Sequence, residues 1–195
     1  MAAKERDEVA RLLFSDMAQT VVAKHVVVVD ESSTHLDMTS AYARAPHGQR
    51  ANDKVLRNYG RNASLIAALR LDGMAAPFVV DGSVNTATFE VYIEFFLAPI
   101  LRPGDIVLMD NLSCHKTDTV RRLIEARGAS LLFLPSYSPD LSPIEQAFSK
   151  LKQALRRCKA LTFDALLDAI VAALQTISPT DAIGYFCAAG FLNID

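Results

Sequence analysis

The sequence predicts an α/β fold, a mixed sheet flanked by helices, and three observations carry that expectation. The valine run of VVVVDES at residues 26–32 has the β-branched density of a buried strand. Further extended stretches follow it, with a turn signal between the last two, as in strands joined by hairpins. From residue 86 onward the rhythm changes to helix, strand, helix, strand, helix, the alternation that covers both faces of a sheet.

Taken in order, residues 4–20 have helical spacing, with Val9, Leu12 and Leu13 followed by Met17. Val26–Glu31 is the first strand. Extended stretches are expected around Thr34–Ala43 and at Ser64–Leu71, then at Ala75–Val80 after the LDG turn at residues 71–73, and this half reads as an antiparallel meander. Thr86–Ile100 is helical by period, Asp105–Asp110 (DIVLMD) is a strand, and Lys116–Arg127 is a helix closed by Gly128. Ser130–Pro135 (SLLFLP) is a short strand. After YSPDLSP a helix runs from Pro143 to Arg157, with proline in the first turn where its missing N–H costs nothing. Helices at Phe163–Thr176 and Pro179–Ala188 close the chain. This order is that of RNase H-like domains, in which three antiparallel strands are extended by two strands joined through helices, so the expected fold is an RNase H-like mixed five-stranded sheet flanked by helices.

Composition narrows the function classes. With 195 residues, 51% of them hydrophobic, the chain suits one well-buried domain, and no repeat or low-complexity linker divides it. Its three cysteines, Cys114, Cys158 and Cys187, are odd in number and widely spaced, which indicates neither a disulfide framework nor a zinc site and fits a reducing, cytoplasmic setting. No stretch reaches the roughly 18 apolar residues of a membrane span. The net charge of −2 is not a nucleic-acid signature, but its distribution is uneven. Tyr42–Arg70 holds Arg44, Arg50, Lys54, Arg57, Arg61 and Arg70 against Asp53 alone, and residues 146–160 hold Lys150, Lys152, Arg156, Arg157 and Lys159 against no acid. Charge runs of this size also occur as solvated faces.

Three acids stand at element ends where core packing does not ask for them. Asp30 closes the valine strand, Asp110 closes DIVLMD, and Glu145 lies in the first turn of the helix after YSPDLSP. If the two strands are neighbours, the aspartates meet at one edge of the sheet, where a crossing helix can bring Glu145. Such carboxylates repel one another unless cations neutralise them, and their hard oxygens suit Mg2+ or Mn2+. Two such ions, roughly 3.5 to 4 Å apart, activate water and stabilise the leaving oxygen in phosphodiester displacement. Singly, each acid has a plainer use: Asp30 and Asp110 as turn and loop caps, Glu145 against the helix dipole. Glu31 should point to the opposite face of its strand and is left outside the cluster. Asp37, Asp81, Asp105 and Asp140 read as turn or surface acids. No GxxxxGK[ST], GxGxxG or GxSxG motif is present.

The blocks VVVVDES, VLMDNLSCHK and LFLPSYSPDLSPIEQAFSKLK together resemble the three signature blocks of DDE transposases. The resemblance is to the mariner superfamily, in particular its bacterial insertion-sequence members, in which 34 residues separate the second and third acids, as they separate Asp110 from Glu145. It runs from about Val26 to the C-terminus and includes GSVNTATFEVYIEFFL. It implies that Asp30, Asp110 and Glu145 bind two Mg2+ or Mn2+ ions, that Asn111, His115 and the YSPDLSPIE loop support the site or touch DNA, and that the protein works as a homodimer on double-stranded DNA with a TA target. Lys150, Lys152, Arg156 and Arg157, on the helix that continues from Glu145, are expected along the phosphate backbone.

The sequence departs from the family twice. Ser142 stands where asparagine is usual, and its hydroxyl is expected to make a weaker version of the same turn-stabilising hydrogen bond. Family members also begin with helix-turn-helix modules, so residues 1–24 are expected as a helix left from a linker to a DNA-binding region, with 25–195 as the catalytic domain. The expected function is metal-dependent cleavage at transposon ends followed by strand transfer. The alternatives are a non-catalytic remnant or regulator that dimerises with a full-length transposase, and a stand-alone nuclease of the same fold.

Overall fold

The computed structural model describes residues 6–36, 38, 44–50 and 62–194. Helix α1 (Glu8–Thr20) starts where the Asp7 carboxylate accepts the Ala10 N–H, which satisfies one of the open donors of a helix's first turn. Its spacing is as expected, but Val9, Leu12 and Leu13 stay exposed, and the helix docks through Arg11, Phe14 and Ala18.

One sheet contains β1 (Val26–His35), β2 (Asn62–Arg70), β3 (Gly73–Asp81), β4 (Ile106–Met109) and β5 (Ser130–Phe133), in the order β3-β2-β1-β4-β5. The first three are antiparallel, and β4 and β5 run parallel to β1. The separate strand expected around Thr34–Ala43 is corrected. Thr34 and His35 continue β1, facing Ala63 and Asn62, and the buried Thr34 hydroxyl donates to the Ala63 carbonyl at 3.0 Å. Residues 37 and 39–43 lie outside the described ones. Pro77 is accommodated because β3 is an edge strand with a bulge opposite Ala67, where Ala76 takes φ +46°.

Alternation along the strands sorts two cores. Val27, Val29, Ile66, Ala68, Val107 and Met109 pack against α2 (Thr86–Tyr92) and α3 (Asp118–Glu125). Val26, Val28, Leu65, Ala67, Leu69 and Leu108 pack against α4 (Pro143–Cys158), α5 (Phe163–Gln175) and α6 (Pro179–Ala188), and against Phe14 and Ala18 of α1. Each such valine, leucine or isoleucine contributes about 1.5–3 kcal/mol of burial. Gly128, at φ +72°, provides the left-handed turn between α3 and β5, and its carbonyl accepts the Gly104 N–H.

The single helix expected over Thr86–Ile100 changes pitch. After α2 the turn widens to π geometry over Ile93–Leu97 and tightens to a 3-10 turn at Ala98–Ile100. Pro99 has no N–H to continue the α ladder, and the rearranged turns leave Phe96 against Phe78 at 4.5 Å between ring centres. Asp105, expected as a surface or turn acid, is buried at the start of β4. Its carboxylate accepts hydrogen bonds from both Arg70 terminal nitrogens, at 2.8 and 3.2 Å, and from the Arg102 N–H at 2.9 Å. Among the described residues no single helix is long and apolar enough to cross a membrane.

Candidate active site

Register brings the two aspartates together. Val28 on β1 faces Leu108 on the parallel β4, so two residues further on Asp30 and Asp110 stand at the same level, Asp110 just past the end of β4 and Asp30 midway along β1, which runs on to His35 and is not closed by Asp30 as expected. Helix α4 begins beyond that end with Glu145 in its first turn. Asp30, Asp110 and Glu145 line one cavity of about 490 Å³, whose other wall includes Tyr137, Ser138 and Pro139. Val28 and Leu108 belong to the core under α4, so alternation sends Asp30 and Asp110 to Glu145's side of the sheet.

The charges in this cavity oppose one another. Burial pushes the Asp30 carboxyl up to about 7; the Glu31 N–H, 2.8 Å from Oδ1, works against the rise, and the negative charges of Glu145, Glu31 and Asp110 add to it. For Asp110 burial also raises the pKa, but His115, the Leu112 N–H and Lys116 outweigh it and hold the carboxyl below its ordinary value. Acceptor-only oxygens, crowded and short of donors, fit a hard divalent cation.

His115 is fully buried and sits between two acids: Nδ1 lies 2.6 Å from Asp110 Oδ1, and Nε2 lies 2.9 Å from Glu31 Oε1. Burial disfavours its charged form, yet the hydrogen bonds and charges of Asp110 and Glu31 prevail and push its pKa up to about 9. Glu31 does point to the face opposite Asp30, as alternation requires, but its contact with His115 escaped sequence reasoning. The available signal was an acid on the inner face of a buried strand, which needs a partner. Ligand atoms of Glu31, Cys114 and His115 come within 4.8 Å of one another, a grouping that cysteine spacing did not indicate. Both nitrogens of His115 already lie against carboxylates, Nε2 hydrogen-bonded to Glu31 and Nδ1 in an ion-pair contact with Asp110, so this group reads as a charge network within the protein.

The remaining supports come from loops. Asn111 Nδ2 donates to the Leu134 carbonyl, tying the turn after β4 to the loop that walls the cavity. Arg11 of α1 grips Asp140 in that loop through two hydrogen bonds, at 3.0 and 2.6 Å, and so holds this carboxyl below its usual range. Asp140 is thus a partnered acid and not only a turn residue. Ser142 is a correction: its hydroxyl is buried, makes no hydrogen bond and does not cap α4, so the turn-stabilising bond expected of it is absent. The start of that helix is set by Pro143 instead.

The basic residues divide. Lys150 is committed within the protein, donating to the Thr176 carbonyl at 2.9 Å and to Asp181 at 2.8 Å. Lys152 and Arg156 share a stripe with Glu145 and Ser149, at i, i+4, i+7 and i+11, while Arg157 is exposed on another side of α4. In the earlier basic stretch Arg70 is buried on Asp105, and Lys54, Arg57 and Arg61 lie outside the described residues.

A profile of the DDE superfamily endonucleases matches residues 25–167. No curated protein matches the chain by sequence. Among solved structures it is similar to the transposase of a pre-cleavage Mos1 transpososome, with 18% identity and a TM-score of 0.74 over 94% of this chain and 57% of that one. It is similar to the Mos1 transposase paired-end complex with the left transposon end, at 18% identity and a TM-score of 0.73 over 99% of this chain and 62% of that one. The isolated catalytic domain of Mos1 mariner transposase matches at 16% identity and a TM-score of 0.68, over 99% of this chain and 93% of that one. The chain therefore spans 57% and 62% of the transposases in the two complexes, and nearly all of the isolated domain. At these identities the likeness shows the shared RNase H-like fold.

Proposed function

The chain belongs to the DDE superfamily endonucleases, and on that premise we propose that it is the catalytic domain of a DNA transposase of the mariner superfamily, in the insertion-sequence branch suggested by its acid spacing. The observation that carries this reading is the cavity shared by Asp30, Asp110 and Glu145, in which burial and same-sign neighbours push Asp30 up to about 7. A catalytic domain is taken to extend over residues 25–195, with α1 packed onto it.

Asp30, Asp110 and Glu145 would hold Mg2+ or Mn2+, two ions in the proposed active state, and solved Mos1 structures include paired-end complexes with each metal. When bound, divalent ions supply charge stabilisation for the attacking and leaving oxygens of a phosphodiester displacement. In the first reaction water attacks phosphorus at the transposon end, the bond to the 3'-oxygen breaks, and that oxygen leaves as a 3'-hydroxyl. In the second, this hydroxyl attacks a target phosphodiester, one P–O bond forming as another breaks. The protein's own groups set the geometry. His115 fixes the Asp110 carboxylate, Asn111 holds the cavity-wall loop, and Lys152 and Arg156 extend a positive stripe from Glu145 along which a phosphate backbone can lie. Arg157 can add charge at its edge, whereas Lys150 acts through Asp181. The partners proposed are double-stranded DNA and a second copy of the chain.

Calorimetric titration of Mn2+ into wild type and Asp110→Ala, with and without a DNA duplex, tests the reading. Binding by wild type that is lost in the variant is the expected outcome. DNA binding without any Mn2+ binding would replace the catalytic reading with the regulatory one.

A further inference from the structure

We infer that Glu31 is a positioning residue for Asp110, acting through His115. The inference rests on the proposed function, since it concerns how one of the metal-binding carboxylates is aimed. Glu31 is next to Asp30 in sequence, yet strand alternation turns it to the other face of the sheet, among Val27, Val29 and Met109 in the core under α2 and α3. An apolar residue would suit that environment better, and Glu31 Oε2 is buried there without a hydrogen-bond partner. What the carboxylate does reach is His115 Nε2, at 2.9 Å.

His115 Nε2 is hydrogen-bonded to Glu31, and Nδ1 lies in a close ion-pair contact with Asp110, off the geometry of a hydrogen bond. His115 is thereby fixed at two points, and the Phe89 ring, 4.2 Å away between centres, restricts its plane. At the other end His115 Nδ1 meets Asp110 Oδ1, the same oxygen that accepts the Leu112 N–H at 3.0 Å. Among the described residues both contacts fall on Oδ1. Glu31 therefore determines, from outside the metal-binding set, which oxygen of Asp110 is presented and in what direction. Outer partners of this kind typically change metal affinity 10- to 100-fold when removed.

The test uses the full chain and two near-isosteric variants: Glu31→Gln, which keeps an oxygen acceptor, and Glu31→Met, which removes it and suits the apolar face. In the metal-free protein, nuclear magnetic resonance of the His115 ring should show a slowly exchanging Nε2 proton in wild type and Glu31→Gln that is lost in Glu31→Met. Calorimetry should then show Mn2+ affinity falling roughly 10- to 100-fold in Glu31→Met, staying close to wild type in Glu31→Gln, and falling no further when Glu31→Met is added to His115→Ala. If Glu31→Gln loses as much as Glu31→Met, or if the losses with His115→Ala multiply, Glu31 acts as a charge or as a ligand itself, and the inference is overturned. Wild-type Mn2+ binding that Glu31→Met leaves unchanged also overturns it while sparing the proposed function. Failure of wild type to bind Mn2+, even with DNA present, brings down both.

Discussion

The two ends of β4 carry the same residue under opposite conditions. Asp105, before the strand, is fully buried and is met by the Arg70 guanidinium and the Arg102 N–H, so the fold brings its own cation to that end. Asp110, just after the strand, is met by a buried histidine that it shares with Glu31 and by the Leu112 N–H, and opens on a cavity with Asp30 and Glu145. A buried carboxylate is tolerable when it is paired and hydrogen-bonded, and costly when it is not. The difference teaches that the acid at one end of the strand is closed off by folding, whereas the acid at the other stays open to a cavity it shares with Asp30, whose carboxyl is pushed up to about 7 by burial and by its negative neighbours.

Three substitutions can break or sharpen this contrast. The largest effect is expected from Arg70→Ala, which strands the Asp105 charge in the core. A loss of about 3–5 kcal/mol is expected, measured by urea unfolding. A loss under 1 kcal/mol would mean that Asp105 is not sealed from water, and the contrast would collapse.

A smaller effect of opposite sign is expected from Asp30→Asn. The Asp30 pKa is raised in the folded protein above its ordinary 3.8, to about 7. The folded state thus holds this proton more tightly than the unfolded chain does, so stability is greatest below the ordinary value and is lost as pH rises through about 7. Metal-free wild type should therefore lose on the order of a few kcal/mol between pH 4 and pH 8 through this group. Asp30→Asn should remove that part of the pH dependence and stabilise the metal-free protein at pH 8. Parallel pH profiles for the two proteins would show that Asp30 carries no such penalty.

The smallest effect concerns the helix that brings Glu145 to the cavity. Ser142 occupies its cap position without using its hydroxyl. Asparagine is a preferred cap residue, and Ser142→Asn should raise the thermal midpoint modestly, by an amount equivalent to about 0.5–1 kcal/mol. A lower midpoint would indicate that the pocket around Ser142 has no room for an amide.

Much of this was legible in the chain itself. Apolar runs and helix-terminal residues located nearly every element, because strand and helix periods and caps are local properties. The acids of the VVVVDES, DIVLMD and YSPDLSPIE segments stood out because each follows an apolar run or opens a helix, although Asp30 lies midway along β1 and not at its end. The errors fall where long-range contacts decide. Asp105 and Asp140 looked like surface or turn acids because Arg70 and Arg11, their partners, are remote in sequence. Lys150 looked equivalent to Lys152 until α6 supplied Asp181. Ser142 was expected to hydrogen-bond because a serine in a turn commonly does, and only the packed loop shows its hydroxyl without a partner.

Sequence by itself determined most of the element order, the two-sided hydrophobic pattern of the sheet and the choice of the three acids that line one cavity, since these follow from side-chain chemistry and short-range spacing. Tertiary structure alone decided the β1–β4 register that places Asp30 level with Asp110, and the bridge from Glu31 through His115 to Asp110. Glu31 and His115 are 84 residues apart. Their meeting depends on how parallel strands align and on which way each side chain turns when the core closes, and neither is encoded within one stretch of chain.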